Sequence, residues 1–245
     1  MVEKMDNSTR IERFIKATSE HINRINGLPK DYDYQVYKKL LFVAIMDRMS
    51  KTAFPQKGNR ERFISFLKSF SDWKDGERVS LTHLTQLTRK NPDPAFEKIR
   101  LYAQKEVMSW KPGDVIHLDK DPDIQDVLKL WPGEKEHRIP LEGVPLESLQ
   151  HINLLYTYRN FLAHEIRSPA YQLDDENDRH PAYVYLLDAD EPEDKGTWIL
   201  VYPTHFFQEL CEVSLKNLGI YLQRNDLNPL QHFSSGSLFI EELNK

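Results

Sequence analysis

Apolar residues recur at helical spacing over most of this chain. Ile11, Phe14, Ile15, Ile22 and Ile25 share one side of a helix that Gly27 and Pro29 bring to an end. Thr9 and Glu12 stand at capping-box spacing at its start. The next helix spans 33–54. Its run Leu40-Leu41-Phe42-Val43-Ala44-Ile45-Met46 is apolar all round, which predicts a central place in the core. A third helix covers 59–73, with Phe63, Phe66, Leu67 and Phe70 on one face. A short one covers 80–89, with Leu81, Leu84 and Leu87 in register. The following helix, 94–110, opens on Pro94 in its first turn and repeats Phe96, Ile99, Ala103 and Val107.

The pattern then breaks. Pro112-Gly113, Asp121-Pro122, Pro132-Gly133 and Pro140 punctuate residues 111–142, predicting an irregular insertion with one short helix at 124–131. Residues 145–165 read as a single helix, stopped by Ser168-Pro169 because the residue before proline disfavours helix. The segments 182–187 and 197–202 are β-branched and aromatic, with a polar loop ending in Lys195-Gly196 between them, so they predict a β-hairpin. A last helix covers 204–224, burying Phe207, Leu210, Val213, Leu218 and Leu222. The expected fold class is mainly α: one domain over 1–245, a helical bundle with the hairpin of about 182–202 as an appendage.

Composition narrows the picture. A chain that is 40% apolar and 29% charged can bury a substantial core. One cysteine, Cys211, excludes a disulfide framework and a cysteine-based zinc cluster within the chain. No stretch has the length of a transmembrane span, and the N-terminus has no apolar signal core. A cytoplasmic protein without a membrane partner is expected. The net charge of −5 argues against tight non-specific nucleic-acid binding. It is unevenly spread: residues 38–90 hold 12 Lys and Arg against 5 Asp and Glu, whereas 174–194 is strongly acidic. From charge alone, two solvated faces of opposite sign suffice.

Candidate chemistry lies at the end of the 145–165 helix, in Arg159-Asn160-Phe161-Leu162-Ala163-His164. Arginine is a permanent cation whose planar fork suits phosphate. Histidine exchanges a proton near neutral pH. Asn160 and His164 are four apart, so the amide can reach the imidazole along a continuous helix. Arg159 and His164 are five apart and diverge by about 140° on an ideal helix. They meet only if the helix ends or distorts at His164, or if a second copy of the motif faces the first across a two-fold axis.

Arginine followed by an amide, with histidine closing an apolar helix, resembles the R-x4-H signature of the HEPN superfamily (higher eukaryotes and prokaryotes nucleotide-binding). The flanks Leu154-Leu155-Tyr156-Thr157-Tyr158 and Glu165 are similar to that family as well. The resemblance is specific over 149–167 and architectural elsewhere. It implies a HEPN-type bundle, a homodimer, and a metal-independent endoribonuclease that leaves a 2′,3′-cyclic phosphate and a 5′-hydroxyl on RNA. In that reading Arg159 and His164 are catalytic. His164 acts as general base or proton shuttle, and Arg159 neutralises charge on the phosphoryl oxygens. Asn160 either fixes the imidazole or donates to phosphate. The resemblance further implies a toxin or phage-defence role, with an antitoxin or regulatory protein as partner. A second reading is a HEPN-like module that binds a nucleotide, RNA or protein and cuts nothing. A third is a plain helical interaction protein with a fortuitous motif.

Other candidates carry less. Arg48 and Lys51 fit a lead for RNA toward Arg159, although Asp47 with Lys51 also has the spacing of an ordinary ion pair at a helix end. The remaining histidines lack metal-ligand spacing, and no Gly-rich phosphate loop occurs, so neither a metal nor another cofactor is expected. Tyr183, Tyr185 and Trp198 suit base stacking or, more commonly, packing under a helix.

Overall fold

The structure is a computed structural model and describes residues 6–133, 140–169, 178–187 and 196–233. Among them it is mainly helical: eight α-helices and one small antiparallel sheet. The helices are α1 (Asn7–Asn26), α2 (Tyr32–Ala53), α3 (Asn59–Phe70), α4 (Leu81–Lys90), α5 (Glu97–Met108), α6 (Ile124–Leu130), α7 (His151–Glu165) and α8 (Thr204–Arg224). The strands are β1 (Ile116–His117), β2 (Ala182–Leu187) and β3 (Gly196–Val201), in the order β1-β2-β3. No helix among the described residues is long and apolar enough to cross a membrane.

The chain divides into two compact units. The first gathers Met1–Leu28, Leu41–Asp72 and Glu209–Lys245. Its core is the apolar faces of α1, α3 and the parts of α2 and α8 that belong to it: Ile11, Phe14, Phe42, Met46, Phe63, Phe66, Leu218 and Leu222 are all buried. The sides of α1 and α8 approach closely at Gly219, where a Cβ would stand 2.7 Å from the Ile15 Cδ1 atom. A side chain there would have to displace Ile15. The second unit comprises Pro29–Leu40 and Trp73–Gln208. Val79, Leu81, Leu84, Phe96, Ile99, Ala103, Val127 and Trp131 form one apolar cluster that binds α4, α5 and α6 together.

Several local expectations need correction. The first helix is capped by Asp6 rather than Thr9: the Asp6 carboxylate accepts the Thr9 backbone N–H at 2.7 Å. Those bonds to the charged form hold the Asp6 carboxyl below its ordinary value. The expected helix 59–73 stops at Phe70, because Asp72 turns left-handed with φ 53°. Pro94 opens a short 3-10 turn, Pro94–Phe96, and α5 proper begins at Glu97. Residues 145–165 are not one helix. A 3-10 turn, Leu146–Leu149, gives way to extended Gln150 before α7 starts. The backbone there is engaged sideways: Ser80 donates its N–H to Leu149 at 3.0 Å, and His151 donates to Arg78 at 3.1 Å. Tertiary pairing overrides the helical periodicity.

The hairpin is present, with Tyr183 opposite Leu200 and Tyr185 opposite Trp198. It is larger than expected by one strand, since Ile116 and His117 of the irregular insertion pair with Tyr183 and Ala182. The insertion thereby ties into the same unit as the motif helix.

Candidate functional site

The helix α7 buries Ile152, Leu155, Tyr158 and Leu162, which fall on one face. The motif residues occupy its other sides: Arg159 and Asn160 are half-buried and His164 is exposed. Arg159 donates from Nη1 to Asn160 Oδ1 at 3.0 Å, and its guanidinium lies 5.8 Å from the centre of the Tyr156 ring. The amide is therefore bonded to the arginine, and no hydrogen bond joins it to His164 among the described residues. The expected Asn160–His164 contact is replaced by an Arg159–Asn160 contact.

Helical geometry persists through His164 to Glu165 and ends at Ile166, which is left-handed at φ 51° and ψ 41°. The distortion at His164 that would bring it toward Arg159 does not occur. Within one chain the two groups stay about 140° apart around the helix. Beyond the helix, Arg167 donates to Glu165 at 2.6 Å and lies 4.7 Å from the Phe161 ring centre. Tyr158 donates its hydroxyl to Ser168 at 2.7 Å and takes a bond from Lys39 at 3.4 Å. The chain leaving the helix is thus pinned to the buried face of α7.

Arg48 and Lys51 belong to the first unit, Arg159 and His164 to the second. Arg48 lies over the Phe14 ring at 5.1 Å and Lys51 over the Phe233 ring at 5.2 Å. Both are half-buried, and Lys51 faces an aromatic ring rather than Asp47. Their cations cover apolar surface with their stems, as long basic side chains do.

Beneath the N-terminal end of α7 lies a polar network that no sequence pattern announced. Asp121 is 1% exposed, yet its carboxylate receives three bonds: from Leu81 N at 2.9 Å, from His151 Nε2 at 2.6 Å and from the Tyr183 hydroxyl at 2.6 Å. The other ring nitrogen of His151 faces the Tyr202 hydroxyl at 3.3 Å. Ser80 Oγ lies 2.8 Å from the Tyr183 hydroxyl and 2.8 Å from His83 Nδ1. Burial and the neighbouring Asp121 charge push the Tyr183 hydroxyl well above its ordinary pKa, so it stays a donor. Tyr183 is wholly buried against Trp110, at 5.1 Å between ring centres, so its expected alternative of base stacking is closed to it.

His83 ends this network and opens onto a cavity of about 590 Å³ in the second unit. Its ring is solvent-accessible at the cavity wall but densely surrounded by protein. That surrounding, with a lesser push from His151 against an opposing pull from Asp121, lowers its pKa to about 4. The cavity is bounded by α4, by the Leu154–Thr157–Phe161 side of α7, and by β3. Trp198 lines it and is held edge-on by Trp110 at 5.2 Å and Tyr185 at 5.2 Å.

Sequence reasoning missed Asp121, His151, Tyr183 and His83 as a group, because the bonds that join Asp121, His151, Tyr183 and Ser80 span 30 to 103 residues. The one local signal was Ser80 three residues before His83, at helix-cap spacing. No group of three or more His, Cys, Asp or Glu side chains among the described residues is arranged to hold a metal ion. No family model, curated protein or solved structure matches this chain.

Proposed function

We propose that this chain is a metal-independent endoribonuclease of HEPN type whose site is completed by two copies of α7. The observation that carries the reading is the end of that helix. An accessible imidazole and an arginine braced by its neighbouring amide stand on the outer sides of a helix whose opposite face is core.

In the reaction His164 accepts the proton of a ribose 2′-hydroxyl. The 2′-oxygen bonds to the adjacent phosphorus, the bond to the 5′-oxygen breaks, and the leaving oxygen takes up a proton. A 2′,3′-cyclic phosphate and a 5′-hydroxyl result. A positioned base contributes roughly 10²–10⁴-fold. Arg159 balances the charge that builds on the phosphoryl oxygens. Asn160 orients the guanidinium, a role that its bond to Arg159 supports over one at the imidazole. Since one chain keeps Arg159 and His164 apart, a two-fold axis beside α7 supplies the missing partner from a second copy. The same reading extends to a cytoplasmic toxin or phage-defence effector held in check by a protein partner.

The second reading, a HEPN-like module that binds a nucleotide, RNA or protein without cutting it, is favoured by that same divergence of Arg159 from His164 within a chain. The experiment that separates them is incubation of a mixed RNA pool in EDTA with wild type, His164→Ala and Arg159→Ala over a range of protein concentrations. The enzyme reading expects cyclic-phosphate ends from wild type alone, with specific activity rising as dimers form. Binding without cleavage by clean wild-type protein supports the module.

A further inference from the structure

The cavity of the second unit has a chemistry of its own, separate from the motif. Arg159, Asn160 and His164 do not line it. Arg89 does, and it is exposed, with neither ion pair nor hydrogen bond among the described residues. No carboxylate lines the cavity among the described residues, so Arg89 is its sole formal charge there. Along the same helix, Gln86 and His83 add an amide and an imidazole. His83 Nδ1 is occupied by Ser80, which leaves Nε2 as its remaining polar atom. The other walls mix aromatic and apolar groups, among them Phe161 and Tyr158 from α7 and Trp198 from β3, with the hydroxyls of Thr157 and Thr197.

We infer that this cavity is a binding site for a small planar aromatic monoanion. The volume lies within the roughly 300–1,000 Å³ typical of sites for small organic ligands. Arginine presents a planar fork that matches a carboxylate with two parallel bonds. A single cation with no carboxylate beside it among the described residues matches a single negative charge, whereas the second charge of a dianion would find no partner there. The aromatic walls reward a flat ring, because Trp198 is fixed between Trp110 and Tyr185 and needs no reordering to receive one. The network from Asp121 through Tyr183 and Ser80 holds His83 in place from behind. On the polar side of the cavity His83 is thereby preorganised.

The test is titration calorimetry of the full chain with 1-naphthoate, against its uncharged amide 1-naphthamide and against acetate. Saturable one-to-one binding of naphthoate is expected, with naphthamide and acetate each at least tenfold weaker. Arg89→Gln is expected to erase the preference for naphthoate over naphthamide while leaving the melting temperature unchanged, since the residue is exposed. Arg159→Ala is expected to bind naphthoate as wild type does, so this result is independent of RNA cleavage. The inference is overturned if naphthoate does not saturate, if it binds no tighter than naphthamide, or if Arg89→Gln keeps the preference. It is equally overturned if Arg159→Ala loses binding as Arg89→Gln does, which would place the anion at the motif.

Discussion

The two ends of α7 carry a histidine each, and their surroundings could hardly differ more. His151, at the first residue, is wholly buried, bonded to Asp121 through one ring nitrogen and set against Tyr202 through the other. His164, in the last turn, is exposed and makes no hydrogen bond or ion pair among the described residues. The same side chain on the same helix is a structural joint at one end and an available group at the other. The difference lies in solvation. A buried polar group must have its partners supplied by the fold, and each partner then depends on it. An exposed group leaves its bonding capacity for a ligand. Chemistry on an external substrate belongs to the second kind, and stability to the first.

That contrast predicts an ordered set of losses. Asp121→Ala is expected to cost the most, about 3–5 kcal/mol, because it strips the acceptor from three buried groups, the Leu81 N–H, His151 Nε2 and the Tyr183 hydroxyl, of which only the hydroxyl keeps a second partner in Ser80. Urea denaturation measures it. A loss comparable to an ordinary surface change would dissolve the distinction between the two helix ends. Tyr183→Phe keeps the ring against Trp110 but removes the hydroxyl that links Asp121 to Ser80, for about 1–3 kcal/mol.

His83 lies between the two kinds, accessible to a cavity yet crowded, and its contribution depends on pH. The unfolded chain takes up a proton at this imidazole near 6.5, whereas the folded chain does so only at about 4. The unfolded state binds more protons over that interval, so stability is full above 6.5 and falls as the pH drops toward 4. Denaturation midpoints measured from pH 7.5 to 4 for wild type and His83→Gln are expected to show a shallower acid loss in the variant. Identical slopes would mean that His83 titrates alike in both states. The smallest effect on stability belongs to His164→Ala, within about 0.5 kcal/mol, as for other exposed positions.

Much of the fold was legible in the sequence. The bounds of α8, the glycine stop after α1 and the paired strands β2 and β3 follow from period and punctuation alone. What stayed hidden depends on distant partners. Gln150 is extended because its neighbours pair with the chain around Arg78 and Ser80, a demand that no local pattern expresses. Residues 116–117 form a strand only because Ala182 and Tyr183 are there to pair with. Asp6 caps α1 in place of Thr9 through a choice between two acceptable local signals. The candidate site divides in the same way. The exposed position of His164 at a helix end was readable from the motif and the Ser168-Pro169 stop. The bond from Arg159 to its own neighbour rather than from Asn160 to His164 rests on side-chain rotamers, which sequence does not report. The network around Asp121 draws on α7, β2 and the segments preceding α4 and α6, so it becomes visible only once the second unit is folded.

The most direct test compares the two helix ends in one assay. Wild type and His164→Ala are incubated with a mixed RNA pool in EDTA, the 3′ ends of the products are analysed, and melting temperatures are recorded on the same preparations. The account predicts 2′,3′-cyclic phosphate ends from wild type, at least a ~10²-fold slower rate for His164→Ala, and matching melting temperatures. Cleavage by His164→Ala at the wild-type rate, or no cleavage by wild type together with a lowered melting temperature in the variant, would contradict it.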